Sequence, residues 1–359
     1  MPKMLMKGTE AVAEAAIQAG CRYFFGYPIT PQNEIPEYMS ARLPEVGGLY
    51  TQAESEVASI NMVMGAASTG YRAMTSSSSP GISLMAEGMS YISFCEIPAV
   101  VVNVSRGGPG LGNILPAQGD YNQATKGAGH GDYNIMVLAP NNLQEAVNLT
   151  QDAFDLSQKY RILTMVLFDG FMGQMMEAVE INPREVENPV VNKDWGLGFM
   201  KERGKSHITL SMHLDPDKLE AHSFYLQSKY KKIKESEQRY EHYMLEDAEL
   251  VITSYGTTSR ICYSAISNLR QQGFKVGMVR PITLWPFPVK GFEALPLSAK
   301  RILDVEMSSS FQMTDDVKLV TNCNIPVETF GRCGGHAPSV KEVEDACKKA
   351  FDNIPQRVR

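Results

Sequence analysis

YPITP, Tyr27–Pro31, and AESEVASINMVMGAASTG, Ala53–Gly70, are the stretches whose reading decides the fold. In the first, Pro28 and Pro31 stiffen the backbone and hold one hydroxyl, Thr30, between them. Tyr23 to Phe25 has the composition of a short strand running into this turn, and Glu10 to Ala19 that of a helix stopped by Gly20. The second stretch has helical apolar spacing through Val57, Ile60, Val63 and Met64. Thr51 and Glu54 stand at capping-box spacing, which predicts that the helix begins there with Glu54 in a structural role. Glu56 then lies near the helix start, where an acid in isolation ordinarily compensates the helix dipole from solvent.

Outward from these stretches the apolar period keeps changing between helix and strand. Arg72 to Thr75 reads as a strand meeting the turn SSSSPG, Ile82 to Phe94 as a helix, and Pro98 to Val104 as a strand buried on both faces. A glycine-rich loop, Arg106 to Gly119, follows. Then come a strand at Ile135 to Leu138, a helix from Leu143 to Leu156 and a strand at Ile162 to Phe168. Residues 1–180 thus read as an α/β domain with a parallel sheet. Residues 181–247 break the pattern, opening polar and proline-containing and ending in the charged helical run KLEAHSFYLQSKYKKIKESEQRYEHYML. There Tyr225, Lys229, Lys232 and Glu235 suit a solvated helix with one docking face, a connector or a subunit-contact arm. From residue 248 to 359 the alternation resumes: strand Leu250 to Ser254, helix Thr258 to Gln271, and strands Lys275 to Val279, Arg301 to Glu306 and Val327 to Phe330. This is a second, smaller α/β domain.

The chain has 359 residues, 43% of them hydrophobic and 21% charged, as in a globular protein of two domains. A net charge of −6 gives no electrostatic reason to expect nucleic acid or an anionic membrane as partner. No apolar run is long enough to span a bilayer, and MPKMLMKGTEA lacks a signal-peptide core, so a cytoplasmic location is expected. The cysteines, Cys21, Cys95, Cys262, Cys323, Cys333 and Cys347, show none of the C-x-x-C spacing of zinc or iron–sulfur sites. They read as reduced thiols.

KGTEAVAEAAIQAG, GYPITP, ESEVASINMVMGAASTGYRAMTSSSSPGISLM, NVSRGGPG, QGDYNQA and LFDGF in the first domain, with RPITLWPFP and GRCGGHAPSV in the second, carry a family resemblance. The chain resembles the alpha subunit of a 2-oxoacid:ferredoxin oxidoreductase, most closely the 2-oxoisovalerate (branched-chain) type and next the 2-oxoglutarate type. The resemblance implies a pyrimidine-type thiamine diphosphate domain followed by a domain like the C-terminal one of transketolases. It implies CoA-dependent oxidative decarboxylation of a 2-oxoacid to an acyl-CoA and CO2, with electrons passed to ferredoxin. Alternatives are a pyruvate or 2-oxoglutarate:ferredoxin oxidoreductase subunit, the pyrimidine-domain subunit of another thiamine-dependent enzyme, or an assembly-only paralogue.

By the same resemblance Glu56 is the catalytic acid, sharing a proton with the aminopyrimidine of the cofactor from an apolar pocket. Pro28 and Ile29 are cofactor contacts, and Thr30 and Arg106 hold the 2-oxoacid, the arginine taking the carboxylate. The glycines beside Arg106 allow close backbone approach to a ligand. SSSSPG is too generic to name a phosphate site, and His336 of GRCGGHAPSV is either a loop histidine or a contact to CoA or a neighbouring subunit. The GDG motif that holds the diphosphate through a divalent metal is absent: FDG ending at Gly170 and GDY at Gly119 and Gly131 lack its downstream asparagine. This chain is therefore expected to bind no metal, leaving magnesium and the diphosphate to a beta subunit. Iron–sulfur clusters are expected on gamma or ferredoxin-like delta partners.

Overall fold

A computed structural model describes residues 3–184 and 191–354, and builds them into a seven-stranded sheet, a five-stranded sheet and a two-stranded ribbon, Met4–Lys7 with Met176–Val179, with helices around them. The larger sheet runs Thr283–Trp285, Met136–Leu138, Leu163–Asp169, Ala99–Ser105, Ala73–Ser77, Tyr23–Gly26 and Leu49–Gln52. All but the first are parallel. Ala99–Ser105 and Leu163–Asp169 are buried at every position, which is why they read as continuous apolar runs rather than alternating ones. Helices Gly8–Gln18, Glu34–Glu45 and Leu143–Tyr160 pack as one group, and Glu56–Ser68 with Ser79–Phe94 as another.

The capping-box expectation fails. Thr51 is drawn into the edge strand Leu49–Gln52, paired in parallel with Tyr23–Gly26, and Glu54 is exposed. The cap is instead Ser55, whose hydroxyl accepts the Ala58 N–H at 3.2 Å, and Glu56 becomes the first residue of the helix. The next helix begins inside the serine turn at Ser79, with Pro80 in its first turn, where a missing N–H costs nothing. Helix Glu34–Glu45 gives little sequence signal because it carries two prolines, Pro36 in its first turn and Pro44 at its end.

The charged stretch forms the helix Pro216–Ser236. Its sequel, Tyr240–Tyr243, pairs antiparallel with Val276–Pro281 as the edge of the smaller sheet, whose other strands are Leu250–Thr253, Arg301–Glu306 and Val327–Gly331. The segment RPITLWPFP then crosses over, since Thr283–Trp285 joins the larger sheet beside Met136–Leu138. At the crossing Arg280 is buried and donates to both carboxylate oxygens of Glu145, at 2.9 Å each, and to Glu241 at 2.8 and 3.0 Å. A guanidinium satisfied on this many sides fixes the two sheets relative to each other.

The smaller sheet buries Asp304 and Glu306 side by side. Glu306 accepts the Met313 N–H at 2.9 Å and Asp304 accepts the Thr314 hydroxyl at 2.5 Å. Asp304 Oδ1 and Glu306 Oε2 have no other partner, so one proton shared between the two carboxyls satisfies both. Burial first, and the Asp304 charge second, push Glu306 up from 4.5 to about 10. A carboxyl raised by folding contributes stability that is complete below its unfolded pKa and is lost as pH rises through its folded pKa. Glu306→Gln is therefore expected to flatten the decline of Tm between pH 6 and 10 relative to the unaltered chain, measured by thermal melts across that window.

Candidate active site

Four neighbouring parallel strands deliver the candidate residues to one edge of the larger sheet. Tyr23–Gly26 ends in YPITP, Leu49–Gln52 leads to Glu56, Ala73–Ser77 runs into the serine turn, and Ala99–Ser105 ends at Arg106. This carboxyl-end edge is where open α/β sheets place ligands.

Glu56 is 5% exposed, and its carboxylate makes no hydrogen bond or ion pair with any described residue. Its oxygens are not among the side-chain atoms shut off from solvent without a partner, so the carboxylate stands in a recess still open to a polar ligand. Beside it stands Gly81. A Cβ there would fall 2.0 Å from Ser77 Oγ and 2.6 Å from Glu56 Oε1, so the missing side chain is what admits the carboxylate. The hydroxyls of Ser77 and Ser78 are buried without partners. The unpaired acid of a largely buried residue, two orphaned hydroxyls and a glycine cradle fit the nitrogen-bearing end of thiamine diphosphate. Among the described residues no group of three or more His, Cys, Asp or Glu is placed to hold a metal ion.

Thr30 and Arg106 lie together. Arg106 is 8% exposed, and its guanidinium donates to the Thr30 carbonyl at 2.9 Å and the Leu111 carbonyl at 3.2 Å. Its Nε–H is buried without a partner. The Thr30 hydroxyl is half-buried and makes no hydrogen bond to a described residue. Gln32 steadies the turn, donating to the Tyr27 carbonyl at 3.2 Å and accepting from Ser76 Oγ at 2.5 Å. Pro28 is exposed and Ile29 half-buried on the same turn.

The glycine-rich loop folds back on itself. Gly107 N–H donates to Leu115 O at 2.8 Å and Asn113 N–H to Gly107 O at 2.9 Å. Gly112, at φ +56°, would put a Cβ 1.7 Å from Gly107 O, so only glycine closes this turn. Asp120 anchors the loop from below, its Oδ2 accepting from Ser79 Oγ at 2.7 Å and Asn103 Nδ2 at 2.9 Å, while Ser79 Oγ accepts the Arg106 N–H at 2.9 Å. Burial raises the Asp120 carboxyl above its usual range, and the hydrogen bonds from Ser79 and Asn103 oppose that rise.

Sequence reasoning assigned no role to Gly81, Ser79 or Asp120, although each lies inside a quoted motif. Others of those motifs are structural. Gln118 of QGDYNQA joins the two sheets, donating to Tyr255 O at 2.8 Å and accepting from Met307 N–H at 2.8 Å. Asp169 of LFDGF caps a short helix, accepting the Phe171 N–H at 2.9 Å. Gly334 of GRCGGHAPSV takes a hydrogen bond from Asn113 at 3.1 Å, so this loop meets the glycine-rich loop of its own chain. Between them opens a cleft of about 390 Å³ lined by Ser79, Gly108, Asp120, Ser310 and Cys333. His336 lies outside it, on a shallow neighbouring hollow with Phe311 and Arg332.

Residues 14–247 match the family described as pyruvate flavodoxin/ferredoxin oxidoreductase, thiamine diphosphate-binding, and residues 248–343 match pyruvate:ferredoxin oxidoreductase core domain II. The chain is 47% identical over 343 residues to the ketoisovalerate oxidoreductase subunit VorB of Methanothermobacter marburgensis, covering 96% of both chains. It is 37% identical over 362 residues to the 2-oxoglutarate synthase subunit KorA of Methanocaldococcus jannaschii, covering 95% of this chain and 98% of the other. Among solved structures, a 2-oxoglutarate:ferredoxin oxidoreductase from Magnetococcus marinus, with 2-oxoglutarate, coenzyme A and succinyl-CoA bound, superposes with a TM-score of 0.87 at 26% identity. The match covers 97% of this chain and 65% of that longer one. A split-gene transketolase superposes with a TM-score of 0.60 at 12% identity, a likeness of fold alone. From both matched segments and relatives that align over nearly its whole length, the chain belongs to the 2-oxoacid:ferredoxin oxidoreductases, as one of their subunits.

Proposed function

We propose that this chain supplies the pyrimidine half of a thiamine diphosphate site in a CoA-dependent 2-oxoacid:ferredoxin oxidoreductase acting on 2-oxoisovalerate. The observation that carries this reading is the unpaired carboxylate of the largely buried Glu56 in the cradle left by Gly81. The absence of a GDG motif supports a diphosphate and magnesium site on a beta subunit, with iron–sulfur clusters on small gamma or delta partners that relay electrons to ferredoxin. When bound, thiamine diphosphate supplies the electron sink for the carbon that loses CO2. Glu56 holds or releases the proton at the pyrimidine nitrogen that the sink requires. Arg106 offers its unpartnered Nε–H to the substrate carboxylate, while its terminal nitrogens donate to the Thr30 carbonyl and the Leu111 carbonyl and so tie the Thr30 turn and the glycine-rich loop to that charge. The Thr30 hydroxyl then donates to the neighbouring keto oxygen.

The preference for a branched substrate rests on the 47% identity to a ketoisovalerate oxidoreductase subunit, against 37% for a 2-oxoglutarate synthase subunit. A 2-oxoglutarate enzyme is the second reading, favoured by the structural likeness to a 2-oxoglutarate:ferredoxin oxidoreductase. The co-purified complex, assayed anaerobically with a viologen acceptor, CoA and a panel of 2-oxoacids, is expected to give its highest kcat/KM with 2-oxoisovalerate. A maximum with 2-oxoglutarate would favour the second reading, and no CoA-dependent dye reduction with any 2-oxoacid would overturn both.

A further inference from the structure

Asp120 stands where the two sheets and the two halves of the candidate site meet. The main chain on either side of it is fastened to the domain built on the smaller sheet. Gln118 N–H donates to Met307 O at 2.9 Å, Gly119 O accepts from Gln312 Nε2 at 2.8 Å, and Asn122 N–H donates to Gln312 Oε1 at 2.7 Å. The Tyr121 hydroxyl donates to Asp316 Oδ2 at 2.6 Å, and Lys126 pairs with the same carboxylate at 2.6 Å. Tyr121 is fully buried, so the clamp is a packed contact rather than a surface one. The Asp120 side chain turns the other way, towards the larger sheet.

Ser79 gives that turn its consequence. Its hydroxyl donates to Asp120 Oδ2 at 2.7 Å and accepts the main-chain N–H of Arg106 at 2.9 Å, and its own main chain opens the helix Ser79–Phe94. Two residues further on is Gly81, beside the Glu56 carboxylate. One hydroxyl therefore touches both the backbone that carries the guanidinium and the first turn of the helix that cradles the acid. A hydroxyl proton rotates to suit its surroundings, and a carboxylate acceptor fixes it on one side, which leaves the oxygen lone pairs aimed at the Arg106 N–H. Asn103, buried on the strand Ala99–Ser105, donates to the same carboxylate oxygen at 2.9 Å and keeps it from following Ser79. The guanidinium itself bonds to the Thr30 and Leu111 carbonyls, so Asp120 reaches Arg106 through its main chain.

We propose that Asp120 is a positioning residue for the reaction: clamped by the domain of the smaller sheet, it sets, through Ser79, both the Arg106 main chain and the start of the helix that cradles Glu56. This rests on the assignment of Arg106 to the substrate carboxylate. The test is a double-mutant cycle in the assembled complex, read by steady-state dye reduction with 2-oxoisovalerate. Asp120→Ala is expected to raise KM and to lower kcat, each by about three- to tenfold, because a misplaced group costs rate without itself meeting the substrate. Asp120→Asn keeps an oxygen for Ser79 and Asn103 and is expected to recover most of both. In an Arg106→Ala background, Asp120→Ala should raise KM by less than about twofold, since the side chain it positions is gone. Ser79→Ala should repeat the pattern of Asp120→Ala, and it carries the test if the aspartate variant does not assemble. Unaltered KM and kcat in an assembled variant would overturn the proposal. So would a KM increase by the same factor with and without the Arg106 side chain, which is what a purely structural loss gives. An unchanged KM in Arg106→Ala alone would refute the carboxylate assignment itself, and the proposal with it.

Discussion

Glu56→Gln, in the assembled complex, is expected to lower kcat by at least about a hundredfold, the scale of a lost general acid–base group. The glutamine amide fills the same volume against Gly81 and Ser77, so Tm should hold while turnover falls; the first is read by thermal melt and the second by dye reduction. Glu54→Gln is the control. Glu54 is exposed and does not cap the helix, so its substitution should leave rate and stability within error of the parent. Gly81→Ala approaches the same defect from the other side, because its methyl would displace the Glu56 carboxylate or Ser77 at an overpacking cost of about 1–3 kcal/mol. Full activity in Glu56→Gln would remove the proton-sharing role assigned to this residue.

Arg106→Ala is expected to raise KM for every 2-oxoacid by a similar factor, about ten- to hundredfold on the ~1.5–3 kcal/mol scale of hydrogen bonds to charged groups. All these substrates share the carboxylate that the proposal sets against the guanidinium, so the order of preference among them should survive. The structure adds a second consequence. With its bonds to the Thr30 and Leu111 carbonyls gone, the turn and the loop lose a common anchor, and kcat should fall too. Arg106→Lys keeps the charge but not the fork, and is expected to recover part of the KM and little of the kcat. Steady-state kinetics with 2-oxoisovalerate and pyruvate separate the cases. A changed order of preference with unchanged carboxylate affinity would place Arg106 beside the variable end of the substrate instead.

Much of this site was legible because its residues sit at strand ends, where apolar runs stop at turn residues. Ala99–Ser105 announces itself as a central strand, and Arg106 follows at its tip. The helix start was misread because capping spacing is local, whereas Thr51 is claimed by strand pairing with Tyr23–Gly26, a contact between residues far apart in sequence. Gly81 was hidden for the same reason. Its significance lies in what its absent Cβ would strike, Ser77 and Glu56, and only the packing of two helices brings these together. Thr283–Trp285 shows a further limit, since a short strand following one sheet gives no local sign that it completes another.

That half of the active site lies on this chain is tested most directly by calorimetric titration of thiamine diphosphate and magnesium into the isolated chain and into the complex assembled with its partner subunits. By the proposed reading the cradle of Glu56, Gly81 and Ser77 meets one end of the cofactor and a partner subunit takes the other. The isolated chain should therefore show no saturable binding in the micromolar range, and the complex should bind one cofactor for each copy of this chain. Tight, stoichiometric binding by the isolated chain would contradict a shared site.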